Sequence, residues 1–159
     1  LYSSAASDVY KRQIYDNIKN YLKYFTIGSF DIVLSNPPFF KVTENKELLN
    51  DLEQLSIARH EVELNLDELI DISSKLVKDR GYFYLVHRAD RLSEILVTLQ
   101  KYNFEAKKIK FCYTTKQKNA KIVLIEAIKN GKVGLTILPP LVINKDNGEY
   151  TDEVLKMFE

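Results

Sequence analysis

The sequence contains very little sulfur and no tryptophan: one cysteine and one methionine occur among its 159 residues. Because Cys112 has no second thiol to pair with, an internal disulfide is excluded, and no Cys/His cluster has the spacing of zinc ligands. No apolar run approaches the ~20 residues that a membrane-spanning helix needs. These absences exclude a disulfide scaffold and a metal centre of the zinc type, and they favour a cytoplasmic protein whose single thiol is a small core residue.

Neither sign of charge is in excess. Lys and Arg number 23 and Asp and Glu number 22, so charge alone does not indicate a nucleic-acid-binding protein. Residues 1–13, LYSSAASDVYKRQ, show no apolar periodicity and resemble a translated sequencing-adaptor tract. We therefore expect residues 1–13 to be an artefact and residues 14–159 to form a partial domain whose natural sequence begins upstream.

Glycine is also scarce, and its positions are informative. The five glycines are isolated from one another, and none forms a Gly-x-Gly turn between a strand and a helix. That turn lets the backbone approach a nucleotide-like cofactor closely. The printed sequence is therefore expected to lack the glycine-rich cofactor loop of a nucleotide-binding sheet.

The segment Asp31–Phe40 is the most informative part of the chain, because an apolar strand pattern runs directly into Asn36-Pro37-Pro38-Phe39. Two prolines remove two backbone donors and end a central strand, so carbonyl acceptors are presented without competing N–H groups. Asn36 adds a side-chain carbonyl, and Phe39 offers a flat ring on which a heteroaromatic base can stack. The pattern predicts a site for an exocyclic amine. The competing interpretation is a Pro-Pro turn that packs Phe39 and Phe40 into the core.

The remaining pattern alternates helices and strands. A capping box at Asn65 and Glu68 predicts a helix through Lys78 that ends at Gly81, and Tyr82–Val86 follows as a buried strand. Asp90 is expected to cap the next helix. Two last strands, Ala106–Tyr113 and Ala120–Ala127, are joined by a polar loop without a helix, which predicts an antiparallel hairpin. Strands joined through helices are expected to be parallel.

The Asn-Pro-Pro-Phe motif resembles that of class I, S-adenosylmethionine-dependent amino-group methyltransferases. Other segments narrow the resemblance to the bacterial tRNA1(Val) (adenine(37)-N6)-methyltransferase family: Ile57–Glu61, His87–Leu92, Val123–Ala127, Lys129–Lys132, Leu138–Leu141 and Gly148–Thr151. The family's usual His-Arg-Pro is here His-Arg-Ala, ending at Ala89. The resemblance implies an α/β fold, namely the carboxy-terminal half of a Rossmann-like class I methyltransferase sheet whose parallel strands end in an antiparallel hairpin.

The resemblance also implies roles for particular residues. Asn36, Pro37, Pro38 and Phe39 would form the catalytic motif, in which the Asn36 side chain and the Pro37 carbonyl accept hydrogen bonds from the target amine. Asp16, Asn17 and Asn36 would contact the cofactor, S-adenosyl-L-methionine. The partner would be the anticodon stem-loop of a tRNA, contacted by a monomeric enzyme.

Substrate contacts are predicted on further residues. Arg59 suits a phosphate and His60 a base, although both equally fit a solvated helix end. Arg88 follows a predicted parallel strand at the edge where open sheets bind ligands, whereas His87 beside it equally fits a structural role. A lysine tract around Lys108 and Lys110, with interleaved aromatics, suits phosphates, although an ordinary solvated hairpin has the same pattern. The expected substrate contacts are these: Phe40, Arg59, His60, His87, Arg88, Lys108, Lys110.

Two other functions fit the same sequence. A protein-glutamine or DNA-adenine methyltransferase would use the same Asn-Pro-Pro-Phe motif on a different substrate. A non-enzymatic RNA-binding domain would reuse the fold without the cofactor loop. The fold alone does not separate these possibilities.

The missing glycine turn leads to a direct prediction. The printed chain is expected to bind S-adenosylmethionine with a dissociation constant weaker than about 1 mM, because the backbone contacts to the cofactor are not encoded. Isothermal titration calorimetry of the printed chain checks this. Micromolar binding would contradict it.

Overall fold

A computed structural model describes residues 13–37 and 64–158 of the chain. Within these ranges a six-stranded sheet carries short helices between its strands. The strands are β1 (Phe30–Ser35), β2 (Val77–Arg88), β3 (Phe104–Tyr113), β4 (Ile122–Lys129), β5 (Thr136–Ile137) and β6 (Leu141–Val142). The α-helices are α1 (Leu66–Leu76), α2 (Leu92–Lys101) and α3 (Asp152–Leu155), and a 3-10 helix spans Ile18–Lys23.

The strand order is β1-β2-β4-β3-β5, with β6 also paired to β3. β1 is parallel to β2, whereas β4 is antiparallel to both β2 and β3. The predicted hairpin of the last two long strands is therefore confirmed, and so is the mixed α/β sheet. Because β2 and β3 both run opposite to β4, the carboxyl ends of β1, β2 and β3 lie at the same edge of the sheet.

One face of the sheet carries the main core. Alternate residues of β2 and β4 are buried against α1 and α2, including Phe83, Leu85, Val123 and Ile125, as expected for strands with a period of two. Leu99 of α2 is fully buried in the same cluster. Burial of such side chains contributes about 1.5–3 kcal/mol each and fixes which face the helices cover.

The other face of the sheet is open near β1. Ile32 and Leu34 are 56% and 71% exposed. Their partners in the register, Tyr82 and Tyr84, stack with ring centroids 6.1 Å apart. Towards β3 this face is covered by a smaller cluster in which buried Cys112 packs with Leu141 and Val154. The strand that carries the Asn-Pro-Pro motif thus forms one edge of the described sheet.

Helix α1 begins as predicted. The Asn65 side chain accepts from the Glu68 backbone N–H at 2.8 Å, and the Glu68 carboxylate accepts from the Asn65 N–H at 3.2 Å, which completes the capping box. The predicted helix end was wrong. The helix stops at Leu76, and Gly81 lies inside β2.

Gly81 is required by close packing, not by a helix end. A Cβ there would lie 2.7 Å from Val77 Cγ1 and 2.9 Å from the Asp31 carbonyl oxygen. The β1–β2 register shifts at this point, between Phe30 and Ile32, and Arg80 has a φ of 62°. The glycine therefore permits the irregularity that lets β1 and β2 approach.

The predicted cap at Asp90 was also wrong. Residues Ala89–Arg91 form a 3-10 turn before α2, and the helix has no side-chain cap at its N-terminus. The Asp90 carboxylate instead accepts from the Arg88 guanidinium, and this pairing removes it from the capping position. No helix in the described ranges is long and apolar enough to cross a membrane.

Truncation of the buried leucine tests this core. Leu99→Ala is expected to lower the free energy of unfolding by about 2–5 kcal/mol, because it removes apolar contact and leaves a cavity. The control Leu22→Ala changes a residue that is 62% exposed and should cost no more than about 0.5 kcal/mol. Urea unfolding followed by far-UV circular dichroism measures both. Equal effects of the two variants would contradict the assigned core.

Candidate active site

Asn36 and Pro37 directly follow β1, at the edge where parallel strands of an open sheet end. The Asn36 side chain is exposed, and Pro37 is partly buried. Since Ser35 is in register with Leu85, Asn36 lies level with Val86 on the neighbouring strand. An exposed amide at this edge can accept a hydrogen bond from an approaching amine, while Pro37 offers its carbonyl and has no N–H to compete.

The end of β2 brings His87 and Arg88 beside Asn36 and Pro37. His87 points to the helix-covered face and is 4% exposed, and its Nδ1 accepts from the Arg88 backbone N–H at 2.8 Å. Arg88 points to the open face, and its guanidinium donates to the Asp90 carboxylate. The structure therefore brings Arg88 to the same edge as Asn36 and encloses the His87 ring. Both substrate contacts remain predictions.

Lys108 and Lys110 both lie on β3, three strands away from β1, and face the open side of the sheet. A single cross-strand row joins Leu34, Tyr84, Glu126 and Lys108. Lys108 Nζ lies 3.0 Å from Glu126 Oε1, and Lys110 Nζ lies 3.0 Å from Glu153 Oε1. Each predicted phosphate contact thus already has a carboxylate partner. A phosphate would have to share the lysine ammonium group with that carboxylate or displace the carboxylate.

Tyr84 and Glu126 are two further residues near the site that were not predicted from the sequence. The Tyr84 hydroxyl donates to Glu126 Oε2 at 3.1 Å, and burial together with this carboxylate raises the pKa of Tyr84. The pair borders a cavity of about 250 Å³ on the open face, lined also by Leu34, Leu124 and Leu138. The signal was present in the sequence: Glu126 is the one acid in β4 and lies between apolar residues, a position that requires a partner.

Asp16 and Asn17 are engaged in local hydrogen bonds at the start of the 3-10 helix. The Asp16 carboxylate accepts from the Tyr24 hydroxyl at 2.6 Å and from the Asn20 amide at 2.8 Å. These hydrogen bonds hold the pKa of Asp16 below its usual value. Asn17 Oδ1 accepts from the Lys19 backbone N–H at 2.9 Å and caps the helix. Their predicted contact with the cofactor remains a prediction.

Several predicted residues lie outside the described part of the chain. These are the remainder of the motif and the segment that follows it: Pro38, Phe39, Phe40, Arg59, His60. The same holds for residues 1–12 of the proposed adaptor tract. Within residues 13–37 and 64–158, no group of three or more His, Cys, Asp or Glu side chains is placed to hold a metal ion.

Burial of His87 gives a pH-dependent prediction. Desolvation, reinforced by the positive charge of Arg91, holds the pKa of His87 below 6.5 in the folded state. The unfolded state then binds the proton more readily, so stability is lost as pH falls below about 6.5. An NMR titration should give a His87 midpoint below 6.5, with His87→Gln used to assign the resonance. A midpoint at or above 6.5 would contradict the enclosed neutral ring.

Curated proteins with related sequences carry one common name. A tRNA1(Val) (adenine(37)-N6)-methyltransferase of Porphyromonas gingivalis ATCC 33277 is 30% identical over 136 residues, which cover 82% of this chain and 50% of that protein. A protein of the same name from Phocaeicola vulgatus is 27% identical over 128 residues, covering 80% of this chain and 52% of that protein. No family model matches the chain.

A solved structure supports the fold. The crystal structure of a predicted O-methyltransferase from Agrobacterium tumefaciens superposes with a TM-score of 0.64 at 19% identity, covering 87% of this chain and 55% of that one. At this identity the similarity concerns the fold alone. The sequence matches confirm the predicted resemblance: the chain is similar in sequence to proteins named tRNA1(Val) (adenine(37)-N6)-methyltransferase, and it spans about half the length of the curated relatives it matches.

Proposed function

We propose that this chain carries the target-amine site of an S-adenosylmethionine-dependent methyltransferase that modifies N6 of an adenine in tRNA. The observation that carries the proposal is the position of Asn36, exposed at the carboxyl end of a parallel strand and followed by Pro37. The names of the curated relatives support adenine 37 of tRNA1(Val) as the target. The proposed compartment is the cytoplasm, and the proposed enzyme is a monomer.

Methyl transfer to the amine depends more on how the amine is oriented than on a strong general base. Asn36 Oδ1 and the Pro37 carbonyl would each accept a hydrogen bond from the N6 amine, which fixes its lone pair in one direction. As the nitrogen gains positive charge, both carbonyl dipoles stabilise it, an effect worth several kcal/mol when the geometry is good. Phe39 would stack on the adenine ring.

S-adenosylmethionine would supply the methyl group. Asn36, Asp16 and Asn17 are the residues of this chain proposed to face it. Asn36 fits this position because its amide is exposed at the ligand-binding edge of the sheet. Asp16 and Asn17 fit less directly, since hydrogen bonds to Tyr24, Asn20 and the Lys19 N–H already occupy their side-chain oxygens.

The tRNA would approach across the same edge of the sheet. Arg88 lies beside Asn36 at this edge, and its guanidinium would donate to a phosphate of the RNA as well as to the Asp90 carboxylate. Lys108 and Lys110 would add long-range attraction from the open face, weakened by their partners Glu126 and Glu153. Arg59, His60 and Phe40 complete the proposed contacts, whereas the enclosed His87 ring fits a structural role better.

Replacement of the amide tests the proposed site. Asn36→Ala is expected to lower the rate of methyl transfer by well over tenfold with little loss of tRNA binding, because it removes an acceptor that acts on the reacting nitrogen. Asn36→Asp keeps an acceptor oxygen and should retain more activity than Asn36→Ala.

The assay measures transfer of radiolabelled methyl groups to unmodified valine tRNA by the full product of the gene that encodes this chain. Asn147→Ala, which changes an exposed asparagine in the turn before α3, is the matched control and should keep the wild-type rate. An Asn36→Ala rate equal to that of Asn147→Ala would exclude Asn36 from the site.

A further inference from the structure

The lysines of the hairpin between β3 and β4 form a separate basic surface. Between Glu105 and Glu126 the chain has six lysines and no acidic residue. The structure divides them into two groups. Three lie on β3, and the other three, Lys116, Lys118 and Lys121, lie in the turn and are exposed.

The turn lysines differ from the strand lysines in their ion pairing. Lys108 and Lys110 are paired with carboxylates. None of the salt bridges in the described part of the chain involves the three turn lysines. Asp90, in the 3-10 turn that follows β2, accepts from the Arg88 guanidinium. Within residues 13–37 and 64–158, the turn therefore presents three cations that an anionic partner can bind without breaking an ion pair.

The topology places this turn beside the proposed active site. β3 ends at the same edge of the sheet as β1 and β2, so the turn projects beyond the edge that carries Asn36. Arg88 is in register with Ile122, directly after Lys121. With β2 and β4 between them, β1 and β3 are roughly 14 Å apart, a distance that a nucleic-acid backbone spans with a few nucleotides.

The base of the turn is fixed by three backbone hydrogen bonds from two other segments of the chain. The Ala89 N–H donates to the Lys121 carbonyl at 2.9 Å, and the Ile143 N–H donates to the Tyr113 carbonyl at 2.8 Å. The Asn144 N–H donates to the Thr114 carbonyl at 2.8 Å. The backbone at both ends of the turn that carries the three exposed lysines is thus held in place by hydrogen bonds.

We propose that Lys116, Lys118 and Lys121 bind the phosphate backbone of the RNA substrate next to the target adenine. This inference rests on the proposed function and assigns the main phosphate contact to the hairpin turn instead of to Lys108 and Lys110. Lysine ammonium groups contribute affinity that depends on salt and carry no sequence choice. Recognition of the adenine itself would remain with Asn36 and its neighbours.

The test compares two triple variants of equal charge change. K116Q/K118Q/K121Q neutralises the turn, and K23Q/K107Q/K132Q neutralises three lysines outside it that are also absent from the salt bridges of the described residues. Fluorescence anisotropy measures binding of the full gene product to unmodified valine tRNA at salt concentrations from about 50 to about 200 mM. Circular dichroism verifies that both variants are folded.

The turn variant is expected to bind roughly tenfold to a hundredfold more weakly at low salt. Its log–log slope of affinity against salt should be about 2–3 smaller in magnitude, since each lost phosphate contact removes about 0.7–0.9. The control variant should keep the wild-type slope within about 1. Equal slopes in the two triple variants would overturn the assignment.

The outcomes separate this inference from the proposed function. Wild-type methyl transfer to tRNA with an unchanged slope in the turn variant would overturn the hairpin assignment alone. If the wild-type protein neither binds nor methylates tRNA, both fail. Tighter binding of the turn to phosphatidylserine vesicles than to tRNA would also overturn the RNA assignment.

Discussion

Strand β2 is the element on which the rest of the domain depends, because it hydrogen-bonds to β1 on one side and to β4 on the other. The parallel register with β1 places the end of the motif strand level with Val86 and His87. The antiparallel register with β4 sets the position of β3 and of the turn that follows it. If β2 slipped by one residue, Phe83 and Leu85 would leave the core and the edge residues would separate.

Much of this arrangement follows from local sequence. The apolar pattern at Phe30–Ser35 predicted a buried strand; the strand is present with these bounds, but Ile32 and Leu34 are exposed because β1 lies at the edge of the described sheet. The Asn65–Glu68 pair correctly predicted the start of α1. Both the strand pattern and the capping box are short-range signals that depend on residues within a few positions. The hairpin was equally predictable, since a polar loop too short for a helix leaves antiparallel pairing as the simple connection.

The parts that could not be predicted depend on contacts between distant segments. Gly81 appeared to end a helix, but the Asp31 carbonyl and Val77 approach it so closely that no Cβ fits. The pairing of Lys108 with Glu126 required the register of two strands. Sequence spacing shows none of these partners.

The charge distribution connects the fold to the proposed chemistry. In this nearly neutral chain, the turn lysines, which form no salt bridge with any other described residue, lie at the edge that carries Asn36, while carboxylates pair with Lys108 and Lys110 on the open face. Neutral composition therefore does not argue against an RNA substrate, because local placement of charge governs attraction of an anion. The Asn36 amide at the end of β1 would act on the target amine, and the basic turn would supply affinity for the RNA.

The central claim is that the amine site at Asn36 acts on an adenine in tRNA. The most direct measurement offers the full gene product radiolabelled S-adenosylmethionine together with unmodified valine tRNA, duplex DNA and a release-factor protein, followed by mapping of the label. We expect the label in N6-methyladenosine in the anticodon loop, immediately 3′ of the anticodon. Label in DNA adenine or in a protein glutamine would contradict the substrate, and no label in any of the three would contradict the enzymatic function.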